Sequence, residues 1–146
     1  MGDLSVILEG AVEERLALIE AEVGRRAVLA SRSLRDSAHR VLEGERSGRI
    51  YAYGGSRYRA SAAGEAPARR SGKFRQSWGT YVQTGKSSGG YVARAGVESG
   101  LTVGGHLLGD LLEEGTERMA PRPYKEAVIK GAQGEISALF GKVIYD

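Results

Sequence analysis

Residues 4–42 read LSVILEGAVEERLALIEAEVGRRAVLASRSLRDSAHRVL, with apolar members at Leu4, Leu8, Ala11, Val12, Leu16, Ile19, Val23, Ala27, Ala30, Leu34, Ala38 and Val41. Apolar positions recurring every three or four residues mark one long amphipathic helix. Asp3 is placed to cap its start, Glu9, Glu13 and Glu14 favour the positive end of the helix dipole, and Arg32, Arg35 and Arg40 favour the negative end. Gly24 costs about 1 kcal/mol relative to alanine in a helix interior, so it marks either a bend or a close approach by another backbone. About 40 residues at 1.5 Å each run to roughly 60 Å, longer than a domain of 146 residues is wide. The helix therefore bends, or a partner covers part of its apolar stripe.

Beyond this helix the helical period stops. Residues 44–73, GERSGRIYAYGGSRYRASAAGEAPARRSGK, mix small residues with arginines and three tyrosines. They read as a long loop with a short strand at residues 49–53, and a loop of that length in one domain is functional or disordered rather than a plain connector. FRQSWGTYVQT at 74–84 and YVARAGV at 91–97 are rich in strand formers and flank GKSSGG, which predicts a β-hairpin. HLLGDLLEE aligns Leu107, Leu108, Leu111 and Leu112 on one side of a short helix that Gly115 ends. PRP at 121–123 enforces extended backbone, and residues 124–143 carry a last helical period through Tyr124, Ala127, Val128, Ala132, Ile136, Leu139, Phe140 and Val143. The expected class is α+β in a single domain, 1–146: a long helix to residue 44, an extended basic loop over 45–73, and a small antiparallel sheet with two helices over 74–146.

Charge is spread unevenly. Residues 46–75 hold eight Lys/Arg and one acid, a net +7, while the rest holds 13 Lys/Arg against 17 acids, a net −4; the overall +3 hides the contrast. Glycine, 22 of 146, is about twice its usual share. With no cysteine, disulfides, thiol nucleophiles and thiolate metal sites are excluded. No apolar run reaches the roughly 18–20 residues of a spanning helix, and the N-terminus lacks the basic flank and cleavage site of a signal peptide, so neither membrane insertion nor export is expected.

Catalytic constellations are missing. GKSSGG has the wrong spacing from Gly79 for a phosphate-binding loop and precedes a strand rather than a helix. His39 and His106 lack partners at metal-ligand spacing and read as surface or capping residues. Ser31, Ser33 and Ser37 read as a solvated helix face near His39, not as part of a triad. The pairs Glu13/Glu14 and Glu113/Glu114 diverge by about 100° on their helices and cannot converge on one bond. The expectation is a non-enzyme without cofactor or metal.

The basic loop is what remains. Arg49, Arg57, Arg59, Arg69, Arg70, Lys73 and Arg75, interleaved with Tyr51 and Tyr58, suit either a neighbouring subunit or partner, the acidic body of a second copy included, or the phosphates and bases of DNA. Docking on a neighbouring subunit or partner is the plainer reading, and a merely solvated loop is the remaining alternative. As a docking element, residues 46–75 are expected to become ordered on assembly.

Three stretches carry a family likeness: Ser47-Gly48-Arg49-Ile50-Tyr51; Ser61-Ala62-Ala63-Gly64-Glu65-Ala66-Pro67-Ala68 leading to Ser71-Gly72-Lys73-Phe74 and Ser77; and Leu112-Glu113-Glu114-Gly115-Thr116 with Met119 and Arg122-Pro123-Tyr124. In this order they resemble the tail-component family of long-tailed phages, with Ala63, Ser71, Phe74 and Tyr124 standing where that pattern has proline, threonine, leucine and phenylalanine. The resemblance implies a virion structural protein of the neck, a tail-completion or tail-terminator subunit. It implies a ring, six copies by the likeness, joining the head connector or stopper protein to the major tail tube protein, with DNA passing through the channel. Its place would be the virion neck and tail, and the host cytoplasm during assembly. Gly115, Thr116, Arg122, Pro123 and Tyr124 take architectural roles in that picture. The alternative is a small basic protein that binds DNA without sequence preference.

Overall fold

A computed structural model of the chain describes residues 4–85, 90–97 and 101–144. Its elements are α1 (Leu4–Glu43), β1 (Ile50–Tyr53), β2 (Ser56–Arg59), α2 (Lys73–Gln76), β3 (Trp78–Gly85), β4 (Gly90–Val97), β5 (Thr102–Val103), β6 (His106–Leu107), α3 (Leu108–Glu114) and α4 (Lys125–Phe140). The class is α+β, as the sequence predicts. Its strands form three separate antiparallel pairs, β1–β2, β3–β4 and β5–β6.

The helix read from periodicity runs unbroken over 40 residues. Gly24 accommodates a side chain and not a backbone: a Cβ there would lie 3.1 Å from the Tyr91 ring of β4. Asp3 and residues 86–89 of the GKSSGG turn lie outside the described residues. The hairpin they connect pairs Trp78 with Val97 through Gly85 with Gly90 and lies against α1.

The last helix ends at Phe140, where Gly141 caps it, and leaves Val143 past its end and exposed; three further readings also differ. The strand expected from Phe74 begins at Trp78, because Gly72, at φ 78°, turns the chain into the single helical turn α2, where Ser77 Oγ donates to the Phe74 carbonyl at 2.8 Å. His106 and Leu107 pair with Val103 and Thr102 before α3 begins, so Leu107 is off the helix and half exposed. The 44–73 stretch holds a complete hairpin, turned by Gly54 and Gly55 at φ 56° and 82°, left-handed values that glycine adopts without strain.

Small residues bring α1 and α4 together. Ala27, Ala30 and Ala38 of α1 and Ala132 of α4 are buried, and Ser37 Oγ donates to the Val128 carbonyl at 2.7 Å. Ser31 and Ser37 are therefore buried, contrary to the solvated face expected of them: each hydroxyl is small and bonds a carbonyl, Ser31 that of Val28, so neither needs water. Arg26 is buried too, bonded to Glu22 and to the carbonyls of Lys142 and Val143 past the end of α4. Further along, Ala38, Val128 and Tyr124 form the core, with Phe74, Trp78 and Leu112 against them. The rings of Phe74, Trp78 and Tyr124 meet edge-on at 5.5–6.3 Å between centroids, the favoured arrangement for aromatic quadrupoles.

This core serves part of the chain. The molecule exposes 10443 Å², against about 7,300 Å² for a compact monomer of this mass. Along α1 the side chains of residues 9–18 are all exposed, Val12 at 56% and Leu16 at 53% among them.

Candidate assembly interface

The basic segment is built on a fastened stem. Gly48 N–H donates to the Ala60 carbonyl and Ala60 N–H to that of Arg49, which closes the hairpin base. A Cβ on Gly48 would lie 2.4 Å from the Ala60 oxygen, so the strands meet there only without a side chain. Glu65 clamps the stem: its carboxylate accepts from Ser47 Oγ, Ser47 N–H at 3.0 Å and Ala62 N–H at 2.8 Å. Led by the Ser47 hydroxyl, these bonds hold the Glu65 carboxyl down at about 2. Arg46 spends its guanidinium on the carbonyls of Val41, Gly44, Glu45 and Pro67, and its burial pulls its pKa below the ordinary value.

The three stretches that carry the likeness meet at one place. Ser47 and Glu65 join the first to the second, and Gly64 N–H donates to the Pro121 carbonyl at 3.1 Å, joining the second to the third. Within the third, Gly115 ends α3 at φ 81°, Thr116 bridges to Met119, and Arg122 N–H donates to the Leu112 carbonyl. Pro123 is exposed and leads into Tyr124, whose N–H donates to Glu113 at 2.8 Å. Glu113 thus caps α4 from α3, a role the i, i+1 spacing of Glu113 and Glu114 does not reveal. Tyr124 Oη donates to the Gly109 carbonyl, and burial, with Glu113 and Asp110 near, pushes its pKa up to about 12.

Above the stem the hairpin has two unlike faces. Its register sets Tyr51 opposite Tyr58 and Tyr53 opposite Ser56. Tyr51 and Tyr58 stack at 5.5 Å, Arg49 lies over Tyr51, and Arg70 lies over Tyr53 and Tyr58, each at 5.6 Å. This aromatic face borders a cavity of about 590 Å³ shared with Arg69, Lys73, Leu108 and Arg122. The other face sets Ile50 beside Arg59 and Ala52 beside Arg57, all four exposed.

Not every cation of the segment belongs to this surface. Arg75 turns inward, donating to the His39 carbonyl and pairing with Glu43 on α1 at 3.1 Å. Arg46, Glu65 and Glu113 are the residues whose work the sequence reading missed; Glu65, as the lone acid among eight cations, was the available signal. His39 is half-buried and His106 exposed, and no group of three or more potential metal ligands occurs among the described residues. Nor, among them, is any helix long and apolar enough to cross a membrane. No protein-family model, curated protein or solved structure matches the chain.

Proposed function

We propose that the chain is a structural subunit of a phage neck: a tail-completion or tail-terminator protein that assembles as a ring and joins the head connector to the tail tube, without catalysis. The observation that carries the reading is the surplus surface. About 3,000 Å² more than a compact monomer needs is the area that obligate assemblies bury, roughly 2,000–5,000 Å². The likeness in three stretches supplies the kind of assembly, and their meeting at one hub supports reading them as a unit. Deleting the coding sequence from the genome that carries it and imaging the particles tests the proposal. Full heads and finished tails lying apart are the expected result; intact joined particles would refute it.

DNA binding is favoured by one observation, the tyrosine face with Arg49 and Arg70 over its rings. Its test is a salt-sensitive shift of duplex or single-stranded DNA by the purified chain.

A further inference from the structure

We infer that the Ile50–Ala52–Arg57–Arg59 face of the β1–β2 hairpin in one copy docks on the exposed stretch of α1 from Glu9 to Glu20 in the next. The two surfaces share a two-row design. On the hairpin, Ile50 and Ala52 form an apolar row on β1, and Arg59 and Arg57, their cross-strand partners, form a basic row beside it. On α1, Val12, Leu16 and Ile19 form an apolar row at helical spacing, flanked on one side by Glu9, Glu13 and Glu20. Apolar row meets apolar row, and basic row meets acidic row.

Dimensions agree. A four-residue strand is about 13 Å long, and Glu9 to Glu20 spans roughly 17 Å of helix. Charge agrees as well: residues 4–22 hold five glutamates and one arginine, against the +7 of residues 46–75. Arg59 touches its own chain through one bond from Nη1 to the Gly48 carbonyl at 3.3 Å, and Arg57 is exposed. Because the two mating surfaces are different patches of one chain, the contact is head-to-tail and propagates into a closed ring or a filament. The inference deepens the ring reading and rests on it for the closure alone.

Charge exchange tests it on the purified chain. Sedimentation should show the wild type as an oligomer that dissociates with rising salt. Arg57→Glu with Arg59→Glu, and separately Glu13→Lys with Glu20→Lys, should each weaken self-association at least tenfold while leaving the helical signal unchanged. Mixing the two variants one to one should restore the oligomer, since each then offers the surface the other lacks. The chain has no cysteine of its own, so Leu16→Cys combined with Ala52→Cys should give a covalent ladder under oxidation, whereas either alone finds no cysteine opposite it and stays uncrosslinked. A wild type monomeric at all concentrations, variants that assemble normally, or a mixture that stays dissociated would overturn the docking. Loss of DNA retention without loss of self-association would assign the hairpin to DNA instead. If particles lacking the protein remain joined while the charge exchange succeeds, the neck reading falls and the interface stands.

Discussion

The two halves of α1 follow one apolar period and end in opposite states. From Arg26 onward the stripe is covered: Ala27, Ala30, Ala38 and Leu42 are buried, and Ala38 packs in the core with Tyr124 and Val128. Over residues 9–18 it is bare, with Val12 and Leu16 more than half exposed. A lone domain gains by hiding apolar groups of this size, and the proposed docking of a second copy would give Val12 and Leu16 the cover that their own chain does not. The covered half uses small residues because close approach of α1 and α4 leaves no room for more: a Cβ on Gly131 would lie 2.4 Å from Ser37 Oγ.

The contrast can be broken most severely at Ala38. Ala38→Asp puts a carboxylate at a position with no solvent exposure, and the expected loss is about 4 kcal/mol or outright failure to fold, read by chemical denaturation. A subtler break lies at the helix contact. Gly131→Ala should cost about 1 kcal/mol in the native background, because the new methyl displaces the Ser37 hydroxyl from Val128. With Ser37→Ala already in place it should stabilise by a similar amount through helix propensity. Additive effects in that double-mutant cycle would show that the two helices are not in contact there.

The hairpin stem gives a pH-dependent test. The Glu65 carboxyl falls from its ordinary 4.5 to about 2 in the fold, so its contribution is complete above about 4.5 and is lost as pH drops through about 2. Glu65→Gln should therefore differ most from the wild type near neutrality, and the gap in melting temperature should close between pH 4.5 and 2. A constant gap across that range would mean the clamp does not depend on ionisation. The smallest expected effect is at Leu16. Leu16→Asp should move the melting temperature of the dissociated chain by no more than about 2 °C, while reducing oligomer mass in sedimentation.

Much of the fold was legible because periodicity is a local signal. The unbroken helix, the β3–β4 hairpin, the short helix ended by Gly115 and the last helix all follow from residue spacing, with ends shifted by one to four residues. The β1–β2 hairpin was only half legible: Tyr51 and Tyr53 announce a strand, whereas the second strand, Ser56–Arg59, carries arginines that resemble loop. In the candidate interface, arginines and tyrosines were identified by composition, but Arg75 and Arg46 could not be sorted from the exposed ones. That sorting depends on carbonyls from His39, Val41 and Pro67, which chain spacing does not place.

The linear order of residues by itself determined the α+β class, the long amphipathic helix and the separation of a +7 segment from a −4 remainder, since each depends on neighbours within a few positions. Tertiary structure alone decided which half of the helix stripe is covered, that Glu113 caps α4 and Glu65 clamps the stem, and that the hairpin presents an aromatic face and an isoleucine–arginine face. Those outcomes depend on contacts between residues far apart in the chain, where burial and hydrogen-bond partners are set by packing and not by period.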